Sequence, residues 1–91
     1  MAFEYSAVPN IILRRKQVEA AIGGTRSTVY LRIAQGLMTK PVQIGPRAVG
    51  WPAPEIAAIN AARIAGKTDD DIRKLVTRLH ASRAAAFAVE A

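Results

Sequence analysis

The spacing of apolar positions changes several times along the chain, and each change predicts a separate element. Ile11 to Leu13 is a short apolar, β-branched run typical of a strand. From Lys16 to Ile22 the apolar residues recur at helical spacing, and Gly23-Gly24 predict the end of that helix. Residues 1–10 follow neither pattern, and we expect them to form a flexible N-terminal segment.

The stretch GGTRSTVYLRIAQG, residues 23–36, predicts a second short helix between two glycine stops. Thr25 is the preferred N-cap because its hydroxyl can accept a hydrogen bond from a free backbone N–H, and Ser27 is the alternative. Val29 and Ile33 lie four residues apart and are predicted to face the core. Two short helices joined by a tight glycine turn are typical of a helix-turn-helix.

The next segment alternates with the period of a strand. Two alternating apolar runs flank residues 45–48, which are rich in turn formers, so the segment predicts a β-hairpin with Arg47 at its tip. A hairpin that directly follows a helix-turn-helix is called a wing. We expect one face of this hairpin to pack inward through Val42, Ile44, Val49 and Trp51.

Two further helices are predicted after the hairpin. Pro54 and Glu55 suit the first turn of a third helix, which Gly66 should end. Thr68 followed by Asp71 resembles a capping box and begins a fourth helix that reaches about Phe87. The fourth helix carries an apolar stripe at helical spacing, made of Ile72, Leu75, Val76 and Leu79.

These elements predict a protein that is mainly α with a small β-hairpin. The expected architecture is a winged helix-turn-helix in residues 11–66, followed by a C-terminal amphipathic helix and tail in residues 67–91. The apolar stripe of that last helix must be buried, either against the domain itself or against a neighbouring copy of the chain. With 91 residues, the chain is close to the lower size limit for a self-sufficient core.

Charge narrows the range of partners. The formal net charge is +6, and residues 10–67 hold nine basic residues and two acidic ones, a local net charge of +7. A small basic domain of this kind favours a polyanion such as nucleic acid. Ribosomal-type packing, or charge that serves only solubility, is the alternative.

Several other chemistries lack the necessary residues. The chain has no cysteine and a single histidine, His80, so neither a thiolate metal site nor a histidine-based zinc site is expected. We expect no enzyme activity and no cofactor, and we interpret Asp69-Asp70-Asp71 as charge compensation at a helix start. No apolar run approaches the roughly 20 residues of a membrane span, so a cytoplasmic, nucleoid-associated protein is expected.

The second helix has the residue types that a recognition helix needs. In the major groove, hydroxyls and backbone amides hold phosphates while longer side chains reach base edges, and acidic residues would be repelled. Tyr30 is equally consistent with the edge of the core, and Trp51 is better explained as a core anchor than as a base-stacking platform. The expected DNA-binding residues are Thr25, Arg26, Ser27, Thr28, Tyr30, Arg32, Lys40 and Arg47.

The same segments resemble a known family. LRRKQVEA (residues 13–20), RSTVYLRI (26–33), GLMTKPVQIG (36–45) and RAVGW (47–51), at these spacings, are similar to the AlpA-type regulators of prophages and integrative elements. That group belongs with the excisionase and MerR-like winged-helix DNA-binding domains. The resemblance covers roughly residues 10–65.

The resemblance implies a sequence-specific, architectural DNA-binding protein that does no chemistry itself. One implied role is an excisionase-like recombination directionality factor, which binds repeated double-stranded DNA sites and directs an integrase toward excision. The alternative is a transcriptional regulator of prophage or integrative-element genes, and a second alternative is a non-DNA adaptor or RNA-binding module. Self-association on DNA is expected, with the stripe of the fourth helix as the contact between copies.

Overall fold

The computed structural model describes residues 10–90, so the predicted N-terminal segment lies almost entirely outside the described residues. The described part is mostly helical with a small antiparallel sheet. This confirms the predicted class, a winged helix-turn-helix with a C-terminal helix. The elements are β1 (Ile12–Leu13), α1 (Arg15–Ile22), α2 (Arg26–Ala34), β2 (Val42–Gly45), β3 (Ala48–Pro52), α3 (Ala53–Ile64) and α4 (Asp69–Glu90).

Helix α2 begins and ends at capping structures that the sequence predicts. The Thr25 hydroxyl accepts a hydrogen bond from the Thr28 backbone N–H at 3.3 Å, which confirms Thr25 as the N-cap. Gly36 has a φ of 75°, and the Leu37 N–H bonds back to the Arg32 carbonyl oxygen at 2.8 Å. This left-handed glycine ends α2 because other residues rarely adopt such a backbone.

The two later helices also begin close to the predicted positions. Helix α3 starts at Ala53, whose N–H donates to the Ile11 carbonyl oxygen at 2.6 Å, so Pro54 is the second helical residue. Thr68 caps α4, because its hydroxyl oxygen accepts from the Asp71 N–H at 3.2 Å. Helix α4 extends slightly past the predicted end, to Glu90.

The sheet has three strands in the order β1-β3-β2, all antiparallel. The strand at residues 11–13 is confirmed, and it pairs with β3 in a register that places Leu13 opposite Trp51. The sequence predicted only the hairpin as a sheet. Pairing between strands almost 40 residues apart depends on how the intervening helices fold, which a local pattern cannot specify.

The register of the hairpin contradicts the predicted inward face. Val42 lies opposite Gly50, and Gln43 lies opposite Val49. Residues that lie directly opposite each other on paired strands point to the same face of the sheet, and neighbouring residues on one strand point to opposite faces. Val42 therefore points to the same face as Gly50, whereas Val49 and Trp51 point to the other face. Of the four residues expected to pack inward, Trp51 is fully buried, whereas Ile44 and Val49 are 41% and 39% exposed.

Two apolar clusters form the core. The first lies beneath the sheet and centres on Trp51, whose indole N–H donates to the Thr39 carbonyl oxygen at 3.0 Å. This confirms Trp51 as a core anchor. The buried members of this cluster are Val18, Val29, Met38, Trp51 and Ile56. The second cluster lies between α3 and α4 and comprises Leu37, Ala58, Ile59, Ile72, Val76 and Leu79.

The apolar stripe of α4 is part of this second cluster. Ile72, Val76 and Leu79 are between 0% and 5% exposed, and Leu75 packs at the edge of the same cluster. Of the two alternatives for burying the stripe, the structure has the intramolecular one. The expectation that this stripe contacts a neighbouring copy is corrected accordingly, because its surface is already covered within the chain.

Candidate DNA-binding surface

Helix α2 exposes one face to solvent while Val29 anchors the other in the core. Arg26 and Ser27, in its first turn, are exposed, and Tyr30 and Leu31 are 42% and 57% exposed. Arg26 and Tyr30 lie four residues apart and are therefore neighbours on the helix surface. No acidic residue occurs between residues 20 and 54, so this face carries only neutral and positive side chains.

The two threonines at the start of α2 are occupied in capping. The Thr25 and Thr28 hydroxyl oxygens lie 3.1 Å apart, and Thr28 is partly buried beside Gly24. The first amides of an α-helix have no acceptor within the helix, so those of Arg26 and Ser27 point outward at its positive end. An anion at this end of α2 would find two free N–H donors and an arginine.

Arg32 lies at the edge of this face instead of at its centre. It is partly buried near Arg63 of α3, and burial, with a further contribution from the Arg63 charge, lowers the pKa of Arg32 below its usual value. The Nε atom of Arg63 is buried without a hydrogen-bond partner within residues 10–90. The two guanidinium groups thus form a positive pair with no carboxylate bound to either in the described part of the chain.

The remaining predicted cations lie on the segment that follows α2. Arg47 is exposed in the two-residue turn between β2 and β3, at the tip of the wing. Lys40 is exposed in the connection between α2 and β2. The predicted site residues are thus divided among the start of α2, its edge at Arg32, the connection at Lys40 and the wing tip.

Helix α4 holds the backbone of Lys40 from both sides, which the sequence did not predict. The Lys40 N–H donates to His80 Nε2 at 3.0 Å, and the Lys40 carbonyl oxygen accepts from Arg83 at 2.6 Å. The same Arg83 guanidinium donates to both carboxylate oxygens of Glu55, each at 2.7 Å. His80 is therefore a hydrogen-bond acceptor for the backbone of Lys40.

The environment of His80 favours its neutral form. Burial lowers the pKa of His80 below its ordinary 6.5, and the positive charge of Arg83 lowers it further. Glu55 opposes this shift, and Lys40 adds to it. A neutral ring with a free Nε2 lone pair is what the hydrogen bond from Lys40 requires.

Helix α4 also contacts the end of α2. Arg73 Nε donates to the Gln35 carbonyl oxygen at 2.9 Å, while Arg73 Nη1 donates to an Asp70 carboxylate oxygen at 3.0 Å. A cation at the carboxyl end of a helix stabilises it through the helix dipole. In the sequence, the only indication of these contacts is that Arg73, His80 and Arg83 lie beside the apolar stripe of α4. Their position does not identify the groups with which they form hydrogen bonds.

The segment that carries these features matches a family model. Residues 11–63, more than half of the chain, match the family described as Prophage CP4-57 regulatory protein (AlpA). The chain belongs to the AlpA family. AlpA proteins are DNA-binding regulators of prophages. No curated protein and no solved structure matches the chain. The AlpA match ends within α3, so α4 and its contacts lie outside it.

Residues 10–90 contain neither a membrane-spanning helix nor a cluster of metal ligands. None of the helices in this range is both long enough and apolar enough to cross a membrane. No group of three or more histidine, aspartate or glutamate side chains in this range is arranged to bind a metal ion.

Proposed function

We propose that this chain binds duplex DNA with α2 in the major groove and Arg47 of the wing in the adjacent minor groove or on its backbone. One observation carries the proposal. The acid-free segment between residues 20 and 54 forms both α2 and the wing, and it exposes Arg26, Lys40 and Arg47. A polyanion would meet only positive or neutral side chains along this segment.

The geometry supports different roles for the individual residues. Arg26 is exposed at the start of α2, where side chains of a recognition helix reach base edges, and it is the preferred candidate for contacting a guanine. The Ser27 hydroxyl and the adjacent amides are suited to a phosphate, and the hydrogen-bonded pair of Thr25 and Thr28 keeps one hydroxyl hydrogen that can donate to the same anion. Tyr30 and Lys40 supply a hydroxyl and a charge for the backbone, and Arg32 with Arg63 offers a positive edge.

The biological role that we propose is an excisionase-like directionality factor. It would bind repeated sites beside an attachment site and direct an integrase toward excision, with several copies associating on the DNA. Regulation of prophage or integrative-element transcription is the second candidate, since AlpA proteins are prophage regulators. An excision reaction reconstituted from a purified integrase and its attachment site separates them: the first role requires that added protein increases excision, and the second does not.

The DNA-binding proposal is tested by measuring affinity for duplex DNA, single-stranded DNA and RNA over a range of salt concentrations. With about 4–6 phosphates neutralised per chain, log K for duplex DNA should fall with a slope of about −4 to −5 against log salt. Equal binding to RNA, or duplex binding that is insensitive to salt, would support the adaptor or RNA-binding alternative instead.

A further inference from the structure

Helix α4 lies outside the family match, yet its side chains hold the backbone on both sides of the proposed DNA-binding surface. We propose that α4 is a clamp that positions this surface, with His80, Arg83 and Arg73 as its positioning residues. The inference rests on the proposed function for its consequence on DNA. Its structural part, the hydrogen bonds themselves, can be tested without DNA.

Arg83 joins the two ends of the wing. Lys40, whose carbonyl oxygen it binds, comes two residues before β2, and Glu55, whose carboxylate it binds, comes three residues after β3. Glu55 is only 6% exposed, so this ion pair forms in a partly desolvated environment where charge-assisted bonds are strong. One guanidinium group therefore fixes the separation between the entry and the exit of the hairpin.

His80 completes the hold on Lys40. It binds the Lys40 N–H from one helical turn before Arg83, so both backbone polar groups of one residue are bonded to α4. Pro41 follows and restricts the backbone of Lys40 further. The exposed Lys40 side chain thus projects from a backbone whose orientation α4 sets.

Arg73 links α4 to α2, the helix proposed to enter the major groove. It donates to the Gln35 carbonyl oxygen at the end of α2, about two turns before His80 along α4. The end of α2 and the base of the wing are consequently bonded to one rigid helix. This arrangement fixes the angle between the part of the chain proposed for the major groove and the part proposed for the minor groove.

The hydrogen bonds are tested first by NMR on the full chain without DNA. The Lys40 amide resonance should shift with pH as His80 titrates, with an inflection below pH 6.5. Arg83→Ala should raise the pKa of His80, because it removes a neighbouring positive charge. Arg78→Ala removes an exposed charge from the same helix and should leave the pKa of His80 unchanged. A Lys40 resonance that does not respond to His80 would overturn the clamp.

The consequence for DNA is tested by affinity measurements well below the melting temperature. Arg83→Ala should weaken binding to a mapped site about tenfold more than Arg78→Ala, although both remove one positive charge. In a Lys40→Ala background this excess should become smaller, since the misplaced Lys40 side chain is then absent and only the effect on the wing remains. Equal affinities for folded Arg83→Ala and Arg78→Ala would show that α4 does not position the surface.

A further variant, His80→Ala, keeps these outcomes separable. His80→Ala breaks only the N–H side of the clamp and leaves the Glu55 pair intact, so it replaces Arg83→Ala if the latter fails to fold. His80→Ala should weaken DNA binding when it is introduced into the parent protein, which has Lys40. It should not weaken DNA binding when it is introduced into the Lys40→Ala variant. If the parent protein binds no DNA, the proposed function fails, whereas the NMR titration still decides whether the clamp exists.

Discussion

Arg83 and Glu55 form a bidentate ion pair, with Arg83 Nε 2.7 Å from one carboxylate oxygen of Glu55 and Arg83 Nη2 2.7 Å from the other. The side chains are 27% and 8% exposed, so both groups have lost much of their contact with water. Arg83 comes from α4 and Glu55 from the first turn of α3. The pair therefore connects the C-terminal helix to the family domain by electrostatics as well as by apolar packing.

Arg83→Ala should lower the free energy of unfolding by about 2–3 kcal/mol. The truncation leaves the Glu55 carboxylate desolvated without its partner, and an unpaired buried charge costs more than the pair contributes. The value is set below that of a fully buried pair because Arg83 is partly exposed. Urea unfolding followed by circular dichroism measures the loss. The double variant Glu55→Gln with Arg83→Ala should recover part of it, and no recovery would contradict this explanation.

Stability should decrease as the pH falls below about 6.5. The unfolded chain protonates His80 near 6.5, whereas the folded chain resists protonation because burial and Arg83 lower the pKa of His80. The unfolded state then binds more protons, so the contribution present above pH 6.5 is lost toward the folded pKa. Thermal melts between pH 5.5 and 7.5 should show this slope for the parent and a weaker one for His80→Ala. Identical slopes would exclude His80 as the source.

Arg26→Ala should reduce sequence preference, while Arg47→Ala should weaken binding to all sequences more evenly. Loss of a guanine contact would cost about 1–3 kcal/mol at one position of the site. Competition assays with single-base variants of a mapped site, at about 150 mM salt, provide the comparison. Arg78→Ala controls for the removal of one exposed charge. Parental affinity in both variants would contradict the docking of α2 and the wing.

Gly50→Ala should destabilise the protein by about 1–3 kcal/mol, as overpacking typically does. A Cβ atom at Gly50 would overlap the Ile12 side chain and lie 2.9 Å from the Leu13 carbonyl oxygen. Gly45→Ala in β2 is the matched control, because its new Cβ would meet only Ala48 at an ordinary 3.6 Å. Equal unfolding midpoints for the two variants would argue against close packing of β1 on β3.

Much of the local structure follows from the sequence because its causes are local. Glycines in the left-handed region end α2 and α3, threonine hydroxyls cap α2 and α4, and helical spacing marks the stripe of α4. These features depend on residues within one or two helical turns of each other, so both partners of each interaction lie close together in the sequence. The exposure of Arg26 and Arg47 could be predicted from the sequence in the same way, because it depends on the first turn of α2 and on the turn of the hairpin.

Only the tertiary structure determines the relationships between residues that lie far apart in the chain. The register that puts Val42 opposite Gly50 divides the expected inward face of the hairpin, and the packing of α3 on α4 buries the stripe within the chain. Lys40 meets His80 and Arg83 across about 40 residues. A polar side chain has many possible partners in a sequence, and the burial of the apolar core selects which of them it meets.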